Sequence, residues 1–190
     1  MRIAIIGGIG SGKSEVLKIA KERGFFCISA DEINSELLKT PSYIQKIQTA
    51  FPTAVINGEV DKKTLASIVF SNESERKKLN SIAHPEIMRA IAEHTENPLA
   101  IELPLFIEGG DEAFDEIVYV RTPLLKRILR LKKGRGMSVA QAIRRIRSQV
   151  PSSVLMAKST QIIDNKGSLD KLKKKATVLF DKILEKHKEI

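Results

Sequence analysis

The chain has 190 residues, which is enough for one α/β domain with a sizeable core but not for a second full domain. Its apolar fraction of 42% and charged fraction of 29% are typical of a globular protein, and no apolar run approaches the ~20 residues needed to cross a bilayer. The formal charge of +9 indicates an anionic partner, either a nucleic acid or a small polyphosphorylated substrate.

Cysteine usage and the N-terminal sequence bear on location. The single cysteine, Cys27, excludes an internal disulfide and is typical of a reducing compartment. The apolar run at the N-terminus is too short for a signal peptide. We therefore expect a cytoplasmic protein that is not attached to a membrane.

The first predicted elements are a strand, a glycine loop and a helix. Residues 2–6 are apolar and β-branched, and apolar residues recur at helical spacing from Val16 to Ala20. Between them, residues 7–14 read Gly-Gly-Ile-Gly-Ser-Gly-Lys-Ser and fill the G-x-x-x-x-G-K-[ST] pattern of a phosphate-binding P-loop. Both the motif and its setting are those of a nucleoside triphosphate site.

The residue types of this loop suit a triphosphate. Glycines let the backbone approach phosphate oxygens, and successive N–H groups and the positive end of the following helix converge on them. In this pattern Lys13 reaches the β- and γ-phosphates, and the Ser14 hydroxyl ligates Mg²⁺.

After the first helix we predict one further strand and then a long helical stretch. Residues 25–28 predict a second strand, and residues 32–95 contain no convincing strand. That stretch is predicted to be a series of helices, interrupted at Pro41, Pro52, Asn57-Gly58 and His84-Pro85.

Three more strands and three helices are predicted for the rest of the chain. The strands lie at residues 99–103, 117–120 and 161–163. Two helices separated by a break at Gly134-Arg135-Gly136 occupy residues 123–148, and a final amphipathic helix runs over 168–186.

This order of elements predicts an α/β fold. Strands joined by helical segments imply right-handed crossovers, a five-stranded parallel sheet and helices on both faces. Ligands of such sheets bind beyond the carboxyl ends of the strands. The residues at those ends are the P-loop, Asp31, the segment 104–108 and Arg121.

Asp31 has two interpretations. It is the N-cap of a helix that begins near Glu32, or it is a carboxylate beside the γ-phosphate that takes a proton from an acceptor hydroxyl. The two roles are compatible.

Other P-loop classes fit less well. Asn165-Lys166-Gly167-Ser168 lacks the Asp of the N-K-x-D guanine signature, and Ile101-Glu102-Leu103 lacks the Asp-Glu pair of motor-type ATPases. Basic residues concentrate between Arg121 and Arg147, and with no Trp and two Tyr there is no aromatic set for stacking bases. The pattern favours a small-molecule or nucleotide kinase with a lid and does not favour a nucleic acid partner.

The sequence resembles the dephospho-CoA kinase family over nearly its whole length. Beyond the P-loop no piece is specific by itself, but the order and spacing of the pieces are. The matching pieces are residues 7–14, Ala30-Asp31, Asn80 with His84-Pro85, Pro104-Leu105-Phe106-Ile107-Glu108, Arg145-Ile146-Arg147-Ser148-Gln149 and Ile163-Asp164-Asn165-Lys166-Gly167.

The resemblance implies a P-loop NTPase core with a helical substrate-binding insertion and a helical lid. The core would comprise about residues 1–31, 98–122 and 159–190, the insertion 32–97 and the lid 123–158. The implied reaction is phosphorylation of the ribose 3′-hydroxyl of dephospho-CoA, the last step of coenzyme A biosynthesis. The expected partners are ATP and dephospho-CoA, with Mg²⁺ as cofactor, in a monomer or weak homo-oligomer.

The resemblance also implies site residues. Asp31, Lys13 and Arg145 would be catalytic, with Asp31 as the base and Ser14 as the metal ligand. The residues expected to bind ATP are Gly8, Ile9, Gly10, Ser11, Gly12, Lys13, Ser14, Glu15, Arg135, Arg145, Asn165 and Gly167. Those expected to bind dephospho-CoA are Asp31, His84, Pro104, Leu105 and Glu108.

Some positions depart from the family pattern. They are Glu15, Ser29, Leu155 and Ser159-Thr160, and Leu155 stands where a lid Arg is common. Arg135, Arg144, Arg145 or Arg147 can compensate for that loss, although some of these arginines can equally form a solvated helix stripe.

Several alternatives stay open. His84 can be a structural residue at a helix start, and Glu108 a solvated helix end. A kinase acting on a nucleoside monophosphate or another small alcohol would share the core residues. A nucleic-acid-dependent ATPase would owe its basic charge to phosphate backbones.

Overall fold

The computed structural model describes residues 1–103 and 110–187. The chain is organised in two units, one formed by Met1–Ser29 with Glu96–Ile190 and the other by Ala30–Thr95. The strands β1 to β7 are Arg2–Ile6, Phe26–Ser29, Val55–Ile56, Glu59–Val60, Leu99–Glu102, Glu116–Arg121 and Gln161–Asp164. The helices α1 to α9 are Lys13–Glu22, Ala30–Leu37, Pro41–Ala50, Lys62–Ser71, Glu73–Glu93, Leu124–Arg135, Val139–Arg147, Ser152–Ala157 and Leu169–Lys186.

A five-stranded sheet forms the centre of the first unit. Its order is β2-β5-β1-β6-β7, and every neighbouring pair is parallel. Ile5 of the central strand β1 lies opposite Glu102 of β5 and Val118 of β6. The predicted five-stranded parallel sheet is confirmed, and the carboxyl ends of its strands share the edge from which the P-loop leaves β1.

The core of this unit lies between the sheet and two helices. Ile3 and Ile5 of β1 are fully buried with Val16 of α1 and Phe180 of α9, and the rings of Phe25 and Phe180 are 5.4 Å apart. Residues on the other face of the strands, such as Ala4 and Ile6, are buried as well. Burial on both faces is why these strands are continuous apolar runs and do not alternate with polar residues.

Helices α6 and α7 form a hairpin whose turn is set by local chemistry. Gly136 ends α6 in the left-handed region at φ 63°, which glycine adopts without steric cost. Ser138 begins α7 as its N-cap in a reciprocal capping box with Gln141. A break between the two helices is confirmed, but it begins at Gly136, since Gly134 and Arg135 are still helical. The short helix α8 was not predicted.

The second unit is helical, but its predicted lack of strands is wrong. The two-residue strands β3 and β4 form an antiparallel hairpin across Asn57 and Gly58, whose φ angles are 52° and 81°. An Asn-Gly pair with positive φ is the preferred two-residue hairpin turn. Strands this short show no periodicity, so the sequence pattern predicts only the turn.

The helix interruption that was predicted at His84-Pro85 is wrong. Helix α5 runs unbroken from Glu73 to Glu93 with Pro85 inside it. Interior proline costs about 3 kcal/mol because it removes a backbone donor and crowds the preceding turn. Ala83, Ile87 and Ile91 are buried on either side of Pro85, and α5 packs against α2, α3 and α4. We attribute the continuity of the helix to this packing.

Candidate functional site

The P-loop joins the end of β1 to the start of α1 and is held by residues far away in sequence. The carbonyl oxygen of Ser11 accepts hydrogen bonds from Thr122 Oγ1 at 2.8 Å, Asn165 Nδ2 at 2.8 Å and Arg130 Nη1 at 3.1 Å. These donors lie just after β6, just after β7 and in α6. The ends of two neighbouring strands therefore fix the shape of the loop.

Gly12 shows why the loop needs glycine. Its φ of 96° lies in the left-handed region, and a Cβ atom at this position would come within 2.6 Å of Asn165 Nδ2. A side chain here would strain the backbone and displace the amide that holds Ser11.

Lys13 lies within the loop that it belongs to. The residue is 8% exposed, and its Nζ donates a 2.9 Å hydrogen bond to the carbonyl oxygen of Gly7. The carboxylate of Glu102 lies 4.0 Å from Lys13 Nζ and accepts a 3.3 Å hydrogen bond from Ser14 Oγ. A cation, a hydroxyl and a carboxylate therefore meet at the start of α1, an arrangement suited to binding a phosphate with a hard cation.

The sequence motifs identify Glu102 only as part of an incomplete ATPase motif. The usable signal is its position, since it ends β5, which pairs directly with β1. Parallel neighbours end at the same edge, so a carboxylate there lies beside the loop that follows β1.

Two arginines that the motif did not identify reach the backbone of the P-loop. Arg127 Nε donates to the carbonyl oxygen of Ile9 at 2.9 Å, and Arg130 Nη1 donates to that of Gly10 at 3.2 Å. Arg127 is 8% exposed, and its burial lowers the pKa of the guanidinium. A Cβ atom at Gly8 would overlap this guanidinium. The spacing of Arg127 and Arg130 beside the apolar residues Ile128 and Leu131 was the available signal.

The expected ATP-binding turn near Asn165 is tied to the same network. Asn165 is 2% exposed, and its side-chain amide donates to Ser11 and accepts from Arg130 Nη2 at 3.2 Å. Lys126 Nζ donates to the carbonyl oxygens of Lys166 and Gly167 at 2.5 and 3.3 Å. The turn is thereby fixed relative to the P-loop.

Other expected ATP-binding residues are exposed or only partly buried. Glu15 in the first turn of α1 pairs with Lys18 at 2.8 Å. Arg135 is exposed at the last residue of α6, and Arg145 is exposed in α7. Leu155 stands at the position where a lid arginine is common in the family, and it is buried in α8 as an apolar core residue.

The expected base and acceptor-site residues belong to the second unit or to the part not described. Asp31 is exposed and is the second residue of α2, so its interpretation as the N-cap of a helix starting near Glu32 is wrong. A carboxylate in the first turn still interacts favourably with the helix dipole. His84 is half-buried in α5, and burial lowers its pKa. Pro104, Leu105 and Glu108 lie outside the described residues.

The described residues offer neither a cluster of metal-ligating side chains nor a membrane-spanning helix. In residues 1–103 and 110–187, His, Cys, Asp and Glu side chains do not gather in any group of three or more that could hold a metal ion. Within the same ranges, no helix is both long and apolar enough to span a membrane.

Comparisons with known proteins agree with one another. A family model described as dephospho-CoA kinase matches residues 1–171. A dephospho-CoA kinase of Corynebacterium glutamicum is 34% identical over 91% of this chain and 94% of its own length. A crystal structure of TT1252 from Thermus thermophilus has a TM-score of 0.79 at 29% identity and covers 96% of this chain and 97% of that one. Shikimate kinase from Acinetobacter baumannii, with a TM-score of 0.59 at 15% identity over 97% of this chain and 90% of that one, shares the fold alone.

Proposed function

The chain belongs to the dephospho-CoA kinase family, and we propose on that premise that its site transfers the γ-phosphoryl group of ATP to the ribose 3′-hydroxyl of dephospho-CoA. The product would be coenzyme A, with ADP released. The observation that carries the proposal is the P-loop, where Lys13 and Ser14 meet Glu102 of β5 at the carboxyl edge of a parallel sheet.

Phosphoryl transfer needs positioning and charge stabilisation more than covalent chemistry. Lys13 would move from the carbonyl oxygen of Gly7 to the β- and γ-phosphates, since its amine already lies at the loop and ends a flexible four-carbon stem. The N–H groups of residues 8–15 would bind the phosphates, and the N-terminus of α1 would add its positive dipole. Arg135 and Arg145 are the lid cations proposed to meet the transferring group.

Mg²⁺ fits the residues present. Ser14 Oγ offers a neutral hard oxygen and Glu102 an adjacent carboxylate, while Mg²⁺ bound with ATP takes most of its ligands from phosphates and water. Ser14 would ligate the ion and Glu102 would hold one of its waters. When bound, the ion supplies neutralisation of the phosphate charge. The protein's task is to orient the hydroxyl and the carboxylate toward that position.

Asp31 is proposed as the base. Asp31 is exposed and lies two residues after the last residue of β2. A carboxylate that takes the proton of the acceptor hydroxyl as the bond to phosphorus forms would lower the barrier to transfer. His84, Pro104, Leu105 and Glu108 are proposed to bind dephospho-CoA. Asn165 and Gly167 are proposed to border the nucleotide through the turn after β7.

We further propose that the insertion at 32–97 carries the acceptor site and that residues 123–158 act as a lid on the core formed by 1–31, 98–122 and 159–190. A cytoplasmic location and a monomer or weak homo-oligomer complete the proposal. The single Cys27 leaves the chain without an internal disulfide, which fits a reducing compartment. Its half-buried thiol has its pKa raised to about 11 by burial and is therefore poorly reactive.

One assay tests the function directly. ADP release from MgATP should depend on added dephospho-CoA, and mass spectrometry should find one phosphate added to the acceptor. A panel of nucleoside monophosphates and small alcohols at the same concentration should give at most about a hundredth of that kcat/KM, the discrimination expected of a site that bonds a specific hydroxyl. Equal turnover of another acceptor, or hydrolysis stimulated by nucleic acid, would contradict the proposal.

A further inference from the structure

Both backbone polar groups of Ile9, its N–H and its carbonyl oxygen, form hydrogen bonds with side chains in or just after helices α6 and α7. The N–H of Ile9 donates to Gln149 Oε1 at 2.8 Å, and its carbonyl oxygen accepts from Arg127 Nε at 2.9 Å. Arg127 Nη2 also donates to the same Gln149 Oε1 at 2.9 Å. Ile9, Arg127 and Gln149 therefore form a closed ring of hydrogen bonds.

The ring is built into the packing. Arg127 is 8% exposed, and the lack of a side chain at Gly8 provides the room for its guanidinium. The Ile9 side chain packs against the small apolar cluster that joins α6 to α7 through Leu131 and Ala142. A buried guanidinium that loses an acceptor pays a desolvation cost, so this geometry resists distortion.

The ring also connects distant points of the segment. Arg127 lies in the first turn of α6, and Gln149 follows the end of α7. The beginning and the end of the α6–α7 segment therefore both contact Ile9 of the P-loop. Gln149 lies 140 positions from Ile9 in the sequence. The base of the helical segment is thereby fixed to the P-loop at both ends.

We propose that Gln149 is a positioning residue of the kinase, which holds the P-loop in its nucleotide-binding shape through Ile9 and Arg127 without touching phosphate itself. This inference rests on the proposed function only in assigning ATP as the ligand. An ordered loop binds phosphate without first losing conformational freedom, so loss of the ring should weaken nucleotide binding more than acceptor binding.

The chemistry of the contacts provides a sharp discrimination. Gln149 uses only its oxygen, as an acceptor, in both bonds. In Gln149→Glu a carboxylate oxygen accepts the same two bonds and pairs with the Arg127 guanidinium. If Gln149 instead donated its amide to an ATP phosphate, the carboxylate would repel that phosphate. Gln149→Met keeps the length of the side chain and removes the acceptor.

The experiment measures the Kd of a non-hydrolysable ATP analogue with Mg²⁺ by calorimetry, together with KM for ATP and for dephospho-CoA. We expect Gln149→Met to raise the analogue's Kd and the KM for ATP about tenfold, the effect of one lost buried acceptor, with KM for dephospho-CoA changed less than about twofold. Gln149→Glu should restore the Kd to within about threefold of wild type. Gln141→Met is the matched control, because the Gln141 side chain accepts a hydrogen bond from Ser138 at the start of α7 and takes no part in the ring at Ile9.

Three outcomes would overturn the proposal. They are an unchanged Kd in Gln149→Met, a loss in Gln149→Glu as large as in Gln149→Met, and an equal loss in Gln141→Met. Melting temperatures show which variants are folded, and should Gln149→Met fail to fold, Gln149→Leu, which also lacks the acceptor, takes its place with the same expected rise in Kd. Failure of the proposed function would appear separately, as a wild-type enzyme that binds the analogue but does not phosphorylate dephospho-CoA.

Discussion

The hydroxyl of Ser14 donates a 3.3 Å hydrogen bond to the carboxylate of Glu102, which joins the end of the P-loop to the carboxyl end of β5. The two residues are 88 positions apart in the sequence. The same carboxylate oxygen lies 4.0 Å from Lys13 Nζ. Glu102 is therefore placed to orient both the hydroxyl and the amine that the proposed reaction uses.

Substituting Glu102 should change the dependence of the rate on Mg²⁺ concentration. Glu102→Gln keeps an acceptor for Ser14 but removes the charge. We expect the Mg²⁺ concentration at half-maximal rate to rise about 10- to 100-fold, the effect usual for groups that support a metal ligand. Mg²⁺ titrations at fixed ATP measure this. Glu22→Gln, at the exposed far end of α1, is the control, and identical titration curves for both variants would rule out the role.

Removing the P-loop amine should nearly abolish phosphoryl transfer. Lys13→Ala deletes the cation that would bridge the β- and γ-phosphates, and we expect kcat to fall at least about 100-fold. Lys18→Ala, which removes an exposed lysine paired with Glu15 on the same helix, should retain normal turnover. A Lys13→Ala enzyme with more than about a tenth of wild-type kcat would defeat the assignment of the loop.

The lid can be tested by hydrogen exchange. Closure of α6 and α7 over nucleotide should slow backbone exchange across residues 124–150 when a non-hydrolysable ATP analogue and Mg²⁺ are added. Helix α9, packed in the core through Phe180, serves as the internal reference whose exchange should not change. Exchange in 124–150 that stays the same at saturating nucleotide would count against a lid.

Asp31→Asn separates chemistry from helix stabilisation. Asparagine cannot accept the proton, so kcat should drop roughly 10²- to 10⁴-fold while nucleotide affinity stays close to normal. Because Asp31 lies in the first turn of α2, losing its charge should cost stability by only about 0.3–1 kcal/mol. Kinetics and thermal unfolding of the same preparation measure both effects. Near-normal turnover would move the search for a base to Glu102 or Glu108.

The last prediction concerns a buried carboxylate away from the P-loop. Glu116 begins β6, is 1% exposed and accepts hydrogen bonds from Lys186 at 2.6 Å and from Thr160. Burial would raise the pKa of Glu116, but the hydrogen bonds from Lys186, Thr160 and Gln161 outweigh it and hold the pKa below its usual value. Its stabilising contribution is therefore fully present above the unfolded-state value of 4.5 and is lost as the pH falls through the lower folded-state pKa.

Glu116→Gln should accordingly lower the free energy of unfolding at pH 7 by about 1–3 kcal/mol, since it weakens a bonded buried charge. The difference from wild type should shrink as the pH is lowered below 4.5. Urea unfolding across this range measures it. A difference that stays constant with pH would show that charge has no part in it. Asp181→Asn, which weakens an exposed pair with Arg23, is the control and should change stability little.

Much of this protein could be derived from its sequence because the relevant physics is local. The P-loop needs glycines, a lysine and a serine in consecutive positions, and the strand before it and the helix after it follow from neighbouring residues. The five parallel strands follow from short apolar runs separated by helical segments. Local pattern failed where tertiary packing outweighed it, as in the continuous helix through Pro85, and where strands were too short to have a period, as beside Asn57-Gly58.

Only the tertiary structure decided which distant side chains surround the P-loop. Glu102, Arg127 and Gln149 lie in three different parts of the chain, and local pattern places each on its own strand, helix or segment without showing that all three meet at one loop. The sequence by itself determined the phosphate-binding loop and the individual strands of the sheet that carries it, since each of these depends on residues close together in the chain. The partners of Ser14, Ile9 and Ser11 depend on strand order and helix packing, which bring residues together only after the chain has folded.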